Sequence, residues 1–220
     1  KYEKGVDLGL VVPIEVWKLN WSNAYADVLG NYSDIRRQRS GYWGNHARNN
    51  VIAKAVNEVI PQRLAEKDPQ ILILVDKVEH ALQLGKILPD FTVVYGSIDA
   101  ESAEYFKQLK LLNSAPLTKK DVDEARKKFS AGTLKRVIAT GIWNTGVDFP
   151  NLSVIIRADG GASAIKDTQM PGRVCRISSG KEKGILIDSA DTFDLWTARR
   201  AKSRFDNYRE KGWEIVEIPI

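Results

Sequence analysis

The stretch ATGIWNTGVDFPNLSVIIRADGGASAIKDTQMPGRVCR, residues 139–176, holds two short patterns that set the reading of everything around it. In the first, Ala139-Thr140 is followed by Thr145-Gly146-Val147-Asp148-Phe149-Pro150; the second is Gln169-Met170-Pro171-Gly172-Arg173-Val174-Cys175-Arg176. Arginines three residues apart share one side of a helix, and the glycine before them lets backbone approach a bulky group. That arrangement suits a polyanion. Residues 136–140 are mostly β-branched or apolar and run into a Thr-Gly pair, which predicts a buried parallel strand opening into a loop. In open α/β sheets ligands gather beyond such strand ends.

Outward from this stretch, strand and helix patterns alternate, the signature of a parallel sheet with crossover helices. The periodicity predicts strands at 71–75, 91–95, 136–140, 153–157, 184–188 and 214–218. Helices are expected at 78–88, 100–112, 119–130, 165–169 with some extension, and 193–211, with a polar turn at 113–118. Upstream, the apolar run 8–17 is interrupted by Pro13, so it reads as an edge strand or an extended connection. The basic run Arg36-Arg37-Gln38-Arg39 reads first as a solvated loop or helix end and second as a phosphate contact. Gly41 and Gly44 should break the chain. Val51, Ile52, Ala55, Val56, Val59 and Ile60 keep helical spacing within 45–66, and Pro61 should kink or end that helix. The organisation expected is a lead-in strand and helices over 1–69, packed on a core domain over 70–220.

Composition bounds the function. The chain has 220 residues, 43% hydrophobic and 28% charged, which is ordinary for a globular protein able to bury a core. No apolar run approaches the ~20 residues of a membrane span, and no signal peptide is visible, so no membrane partner and a cytoplasmic or nucleoid-associated location are expected. Cys175 is the only cysteine and reads as a small buried hydrophobe; with His46 and His80 the only histidines, no zinc site is expected. A net charge of +5 leans weakly toward a polyanionic partner. Lys at position 1 suggests a fragment or a processed chain.

At the quoted residues the sequence resembles a known family. Ala139-Thr140 with Thr145, Gly146 and Asp148, and Gln169 with Gly172, Arg173 and Arg176, are similar to motifs V and VI of superfamily-two helicases and translocases. Residues 71–84 resemble motif IV, and Tyr95-Gly96-Ser97 with Phe129-Ser130-Ala131-Gly132 resemble the segment between motifs IV and V; two predicted helices there, where relatives often have one, suggest an insertion around 97–120. The resemblance implies a three-layer RecA-like α/β domain with a mainly parallel sheet, the second of the two such domains these motors carry.

What the resemblance implies about chemistry follows residue by residue. ATP with Mg2+ would sit between the two domains, with Arg173 and Arg176 stabilising the transferring phosphoryl group through the planar guanidinium fork. Gly146, Asp148, Gln169 and Gly172 would complete this side of the ATP site, Asp148 accepting from the ribose or coupling to the arginine motif. Gly96, Ser97, Thr140 and Gly141 would meet phosphates of a nucleic-acid strand, DNA favoured over RNA. Bland readings stand beside these: helix-surface salt bridges for the arginines, an Asx-type turn for Asp148, ordinary turn chemistry for the glycines, and core packing for Trp143.

The sequence contains no glycine-rich loop ending in Gly-Lys-Ser/Thr, since Gly85-Lys86 precedes Ile87 and Gly180-Lys181 precedes Glu182. Asp123-Glu124-Ala125-Arg126 looks like an acidic box but falls in an amphipathic helix pattern. The Mg2+ ligands and the first RecA-like domain are therefore expected upstream or on another chain, and this chain alone should be inactive. The alternatives are a catalytically silent RecA-like interaction domain, or a translocase subunit of a nuclease or remodelling complex.

Overall fold

Three apolar runs, Gln70–Leu74, Leu152–Arg157 and Gly184–Ser189, are buried along their whole length, as strands covered on both faces must be. The computed structural model describes residues 2–22, 32–143, 149–162, 171–178 and 180–220. Its strands are β1 (Ile14–Asn20), β2 (Gln70–Leu74), β3 (Thr92–Val94), β4 (Arg136–Ala139), β5 (Leu152–Arg157), β6 (Gly184–Ser189) and β7 (Glu214–Pro219). They form one seven-stranded sheet in the order β3-β4-β2-β5-β6-β1-β7, every pairing parallel. The six strands expected between 71 and 218 are all present.

The strand near Pro13 is not at the edge. β1 lies between β6 and β7, in register with both. Pro13 sits just before the strand, where its missing N–H costs nothing, and its carbonyl accepts from Gly184 N–H at 2.8 Å.

The helices are α1 (Tyr2–Asp7), α2 (Asp34–Gln38), α3 (His46–Lys54), α4 (Ile60–Arg63), α5 (Val78–Ile87), α6 (Ala100–Gln108), α7 (Lys119–Ser130) and α8 (Leu195–Glu210). Helices α3 to α5 cover one sheet face around Ile73, Ile138, Ile156 and Ile187. On the other face Phe129 of α7 and Phe205 and Tyr208 of α8 pack over Leu72, Val137 and Leu186. Both helices expected between β3 and β4 form, α6 capped by Asp99 and α7 by a reciprocal Thr118–Asp121 capping box. The helix expected at 165–169 lies outside the described residues. No helix of the described residues is long and apolar enough to cross a membrane.

The lead-in is more helical than its glycines suggest. Arg39–Trp43 is a π-helical turn burying Gly41, Tyr42 and Trp43, and the break comes after it, where Asn45 caps the Arg48 N–H at 3.0 Å. Burial of the two rings overrides the local glycine signal. A second π turn, Ala55–Val59, widens the helix just before Pro61, and the helix ends at Arg63.

Candidate functional site

β3 and β4 are neighbours with Val94 opposite Ala139, so the segments that follow them leave the sheet side by side. This brings Gly96, Ser97, Thr140 and Gly141 to one rim at the carboxyl ends of the strands. Thr140 N–H donates to Val94 O at 3.1 Å, and the residue is buried at the strand end. A methyl on Gly96 would come within 3.3 Å of Ile142 Cγ2, a tight contact with the end of one side chain. Ser97 and Gly141 are exposed, while Trp143 is buried against Phe129 and Phe149 with ring centroids 5.4 and 5.3 Å away. The core reading of Trp143 therefore holds.

The arginine segment is anchored at the other end of the sheet. Cys175 O accepts from Val12 N–H at 2.8 Å, and Val174 packs so closely on Gly184 that a side chain there would strike its carbonyl. The Cys175 thiol is buried, donates to Gly172 O at 2.8 Å and is pushed up in pKa by that burial, so it is a packing residue. The expected helical face is not formed by these residues. Pro171–Arg173 is a single 3₁₀ turn, and Arg176 lies past it in irregular backbone, because Val174 and Cys175 turn inward to fill the core. Arg173 is half-buried and Arg176 exposed. Nothing lies within 4 Å of where a methyl on Gly172 would sit, so the turn has open space beside Gly172. Gly146, Asp148 and Gln169 lie outside the described residues. Asp123 and Arg126 pair with each other at 3.2 Å on α7, as a helix surface does.

A group that the motif reading missed lies just past β5 and β6. Arg48 of α3 pairs with Asp191 at 2.8 Å and donates to Ala158 O at 2.7 Å. Arg204 of α8 pairs with Asp188 at 2.8 Å and Asp191 at 3.2 Å, and also donates to Gly160 O and Ser189 O. Arg157 pairs with Asp159 at 3.0 Å and donates to Tyr208 Oη at 2.9 Å, which in turn donates to Asp188 at 2.8 Å. Three guanidiniums and three carboxylates thus neutralise one another in the interior. Burial would raise the Asp159 carboxyl, but Arg157 together with Arg204 and Arg48 outweighs it and holds the pKa below its usual value. Burial, then Asp188, pushes Tyr208 well above the usual phenol range. The sequence signal for the cluster is a charge closing each apolar strand, Arg157 after β-branched residues and Asp188 after Ile-Leu-Ile.

A family model described as the helicase conserved C-terminal domain matches residues 52–178. The ATP-dependent DNA helicase fml1 of Schizosaccharomyces pombe is 30% identical over 159 residues, 68% of this chain and 18% of that protein. The ATP-dependent DNA helicase MPH1 of Coccidioides immitis is 31% identical over 103 residues, 42% of this chain and 9% of that protein. The chain thus spans a fifth or less of the length of these relatives. Among solved structures, the C-terminal domain of the DEAD-box protein Dbp5 superposes with a TM-score of 0.58 at 15% identity, covering 94% of this chain and 91% of that one. T4 UvsW gives a TM-score of 0.60 at 17% identity over 96% of this chain and 42% of that one. At such identities the structural likeness speaks for the fold.

Proposed function

Because the chain belongs to the helicase conserved C-terminal domain family and has its RecA-like fold, we propose that it is the second motor domain of an ATP-dependent helicase or translocase acting on nucleic acid. In this reading Gly172, Arg173 and Arg176, with Gly146, Asp148 and Gln169, close an ATP cleft whose other wall is a first RecA-like domain. That first domain supplies the Mg2+ ligands. Gly96, Ser97, Thr140 and Gly141 hold phosphates of a nucleic-acid strand, and the names of the sequence relatives favour DNA.

The observation that carries the reading is the pinning of the arginine segment. Val174 and Cys175 pack against β1 and β6, so the backbone between Arg173 and Arg176 is tied to the sheet. ATP supplies the phosphoryl group to be transferred; the chain contributes positive charge held in place before that charge is needed.

In the full-length protein, Arg173→Ala and Arg176→Ala should each lower kcat by about 10²- to 10³-fold while changing ATP binding much less, the mark of a contact that strengthens in the transition state. Lysine at either position should restore little, since it returns charge without the fork. Steady-state ATPase assays with melting curves check this. A well-folded double variant with near-normal nucleic-acid-stimulated turnover would make both arginines structural.

A further inference from the structure

The segment between α2 and α3 crosses the carboxyl-end rim of the sheet. Tyr42 packs directly on Gly160, just past β5; Lys77, just past β2, lies 5.9 Å from the Trp43 ring; and Arg39 reaches Glu79 and Tyr105 Oη, both at 2.7 Å. The strap so formed puts the Arg36-Arg37 pair on the same rim as Ser97 and Thr140. It also meets the start of α8. The Arg37 guanidinium lies 5.7 Å from the Trp196 ring, Arg200 lies 4.8 Å from the same ring, and Arg36 lies 4.1 Å from the Tyr32 ring.

These are layers of guanidinium on aromatic with aliphatic surface beside them, Ile35 69% and Leu195 77% exposed. Two carboxylates lie nearby: Asp34, 92% exposed, stands 3.8 Å from Arg37, and Asp194 accepts the Trp196 N–H at 2.8 Å. Arg37 donates to Tyr32 O at 3.2 Å and Arg200 Nε to Gly160 O at 3.3 Å. The exposed Arg36 and the terminal nitrogens of Arg200 are the groups that can turn to phosphate, while the outer guanidinium faces and the neighbouring apolar groups can take a base. Unstacked bases are held on such layers with little regard to sequence. A paired duplex hides its base faces, so these layers fit a single strand.

We propose that the strap and the start of α8, through Tyr32, Arg36, Arg37, Trp196 and Arg200, form a second contact for single-stranded nucleic acid that extends the track beginning at Ser97 and Thr140. The strand order places the end of β4 three steps from the end of β6, roughly 14 Å along the rim, with Lys77 between them. A strand leaving the phosphate track therefore reaches Trp196 within a few nucleotides. The proposal rests on the reading of the domain as a nucleic-acid binder.

The test compares labelled oligo(dT) of about 4 and about 12 nucleotides, lengths that bracket a short track and an extended one, by anisotropy on the full-length protein at several salt concentrations. For Arg36→Gln with Arg200→Gln, the dissociation constant for the longer oligonucleotide should rise ~10-fold, and its salt slope should fall by about 1.4, or 0.7 for each lost contact. The shorter oligonucleotide should bind as before. Arg36→Gln alone, whose side chain is exposed on the strap, should give half of the slope change and covers the case in which the double variant fails to fold. Photocrosslinking of 5-iodouracil in the longer strand should attach to a peptide containing Tyr32 or Trp196. Unchanged affinity and slope for the longer strand in a folded variant, equal weakening of both lengths, or crosslinks mapping only elsewhere would each overturn the proposal. Failure of Ser97→Ala with Thr140→Val to weaken the shorter oligonucleotide would instead strike the phosphate track alone. No binding of either length by the wild-type protein would remove both.

Discussion

His80 carries the sharpest single-residue consequence of burial. It is 2% exposed in α5, with Nε2 2.9 Å from Asn49 Oδ1, and burial followed by the neighbouring Arg48 charge lowers its pKa to about 3. The unfolded chain would take a proton near the usual value of about 6.5, while the folded chain stays neutral until far lower pH. Unfolding therefore takes up a proton throughout this window. The stability His80 contributes is complete above about pH 6.5 and drains away as pH falls toward 3, by about 1.4 kcal/mol per unit at most. Urea unfolding of wild type and His80→Gln between pH 7.5 and 4.5 should show a steeper acid loss in the wild type, whatever the variant costs at neutral pH. Parallel curves would rule this out. Composition counts two histidines but does not show that one is interior; that depends on α5 packing against α3, two elements apart in sequence.

At the scale of elements, geometry separates charge pairs that hold the fold from those that decorate it. Lys202–Asp206 on α8 is an i,i+4 pair with side chains 76% and 40% exposed, so Lys202→Ala should leave the urea midpoint nearly unchanged. Arg48–Asp191 and Arg204–Asp188 are fully buried on both sides and join α3 and α8 to the ends of β5 and β6. Removing one partner there leaves an uncompensated interior charge, costing about 3–5 kcal/mol. Asp191 serves two guanidiniums and Arg48 pairs with one carboxylate, so Asp191→Ala should lower the urea midpoint more than Arg48→Met. The reverse order would mean that Arg204 is satisfied without Asp191. This layer was hidden in the sequence because Arg48 and Asp191 stand 143 residues apart, and nothing local marks either one. The strands were legible for the opposite reason: β2, β5 and β6 are nearly unbroken apolar runs bounded by polar turns. β1 was misplaced at the edge because Pro13 lay inside its apolar window, although the proline stands just outside the ladder. The π turn around Tyr42 depends on what those rings meet across the fold, which no window of sequence contains.

Across the whole molecule, the groups proposed to act divide between two places. Gly96, Ser97, Thr140 and Gly141 line the carboxyl-end rim, while the backbone carrying Arg173 and Arg176 is tied to the amino ends of β1 and β6. The motif residues were legible as a set because their order along the chain is the family's order; their separation in space needed the strand pairing. A nucleotide held only by this arginine segment would lack the phosphate-cradling loop, since no Gly-Lys in the sequence is followed by Ser or Thr. Charge at one end of a triphosphate neither orients an attacking water nor holds the metal that bridges its oxygens. The 220-residue chain by itself should therefore release no phosphate from ATP above background, with or without single-stranded DNA. Adding a first RecA-like domain, in the same chain or as a separate protein, should bring activity that Arg173→Ala then lowers. A phosphate-release assay on the chain, on the joined domains and on the Arg173→Ala form distinguishes the outcomes. Robust turnover by the 220 residues alone would show a complete ATP site within them and would refute the division of labour between two domains.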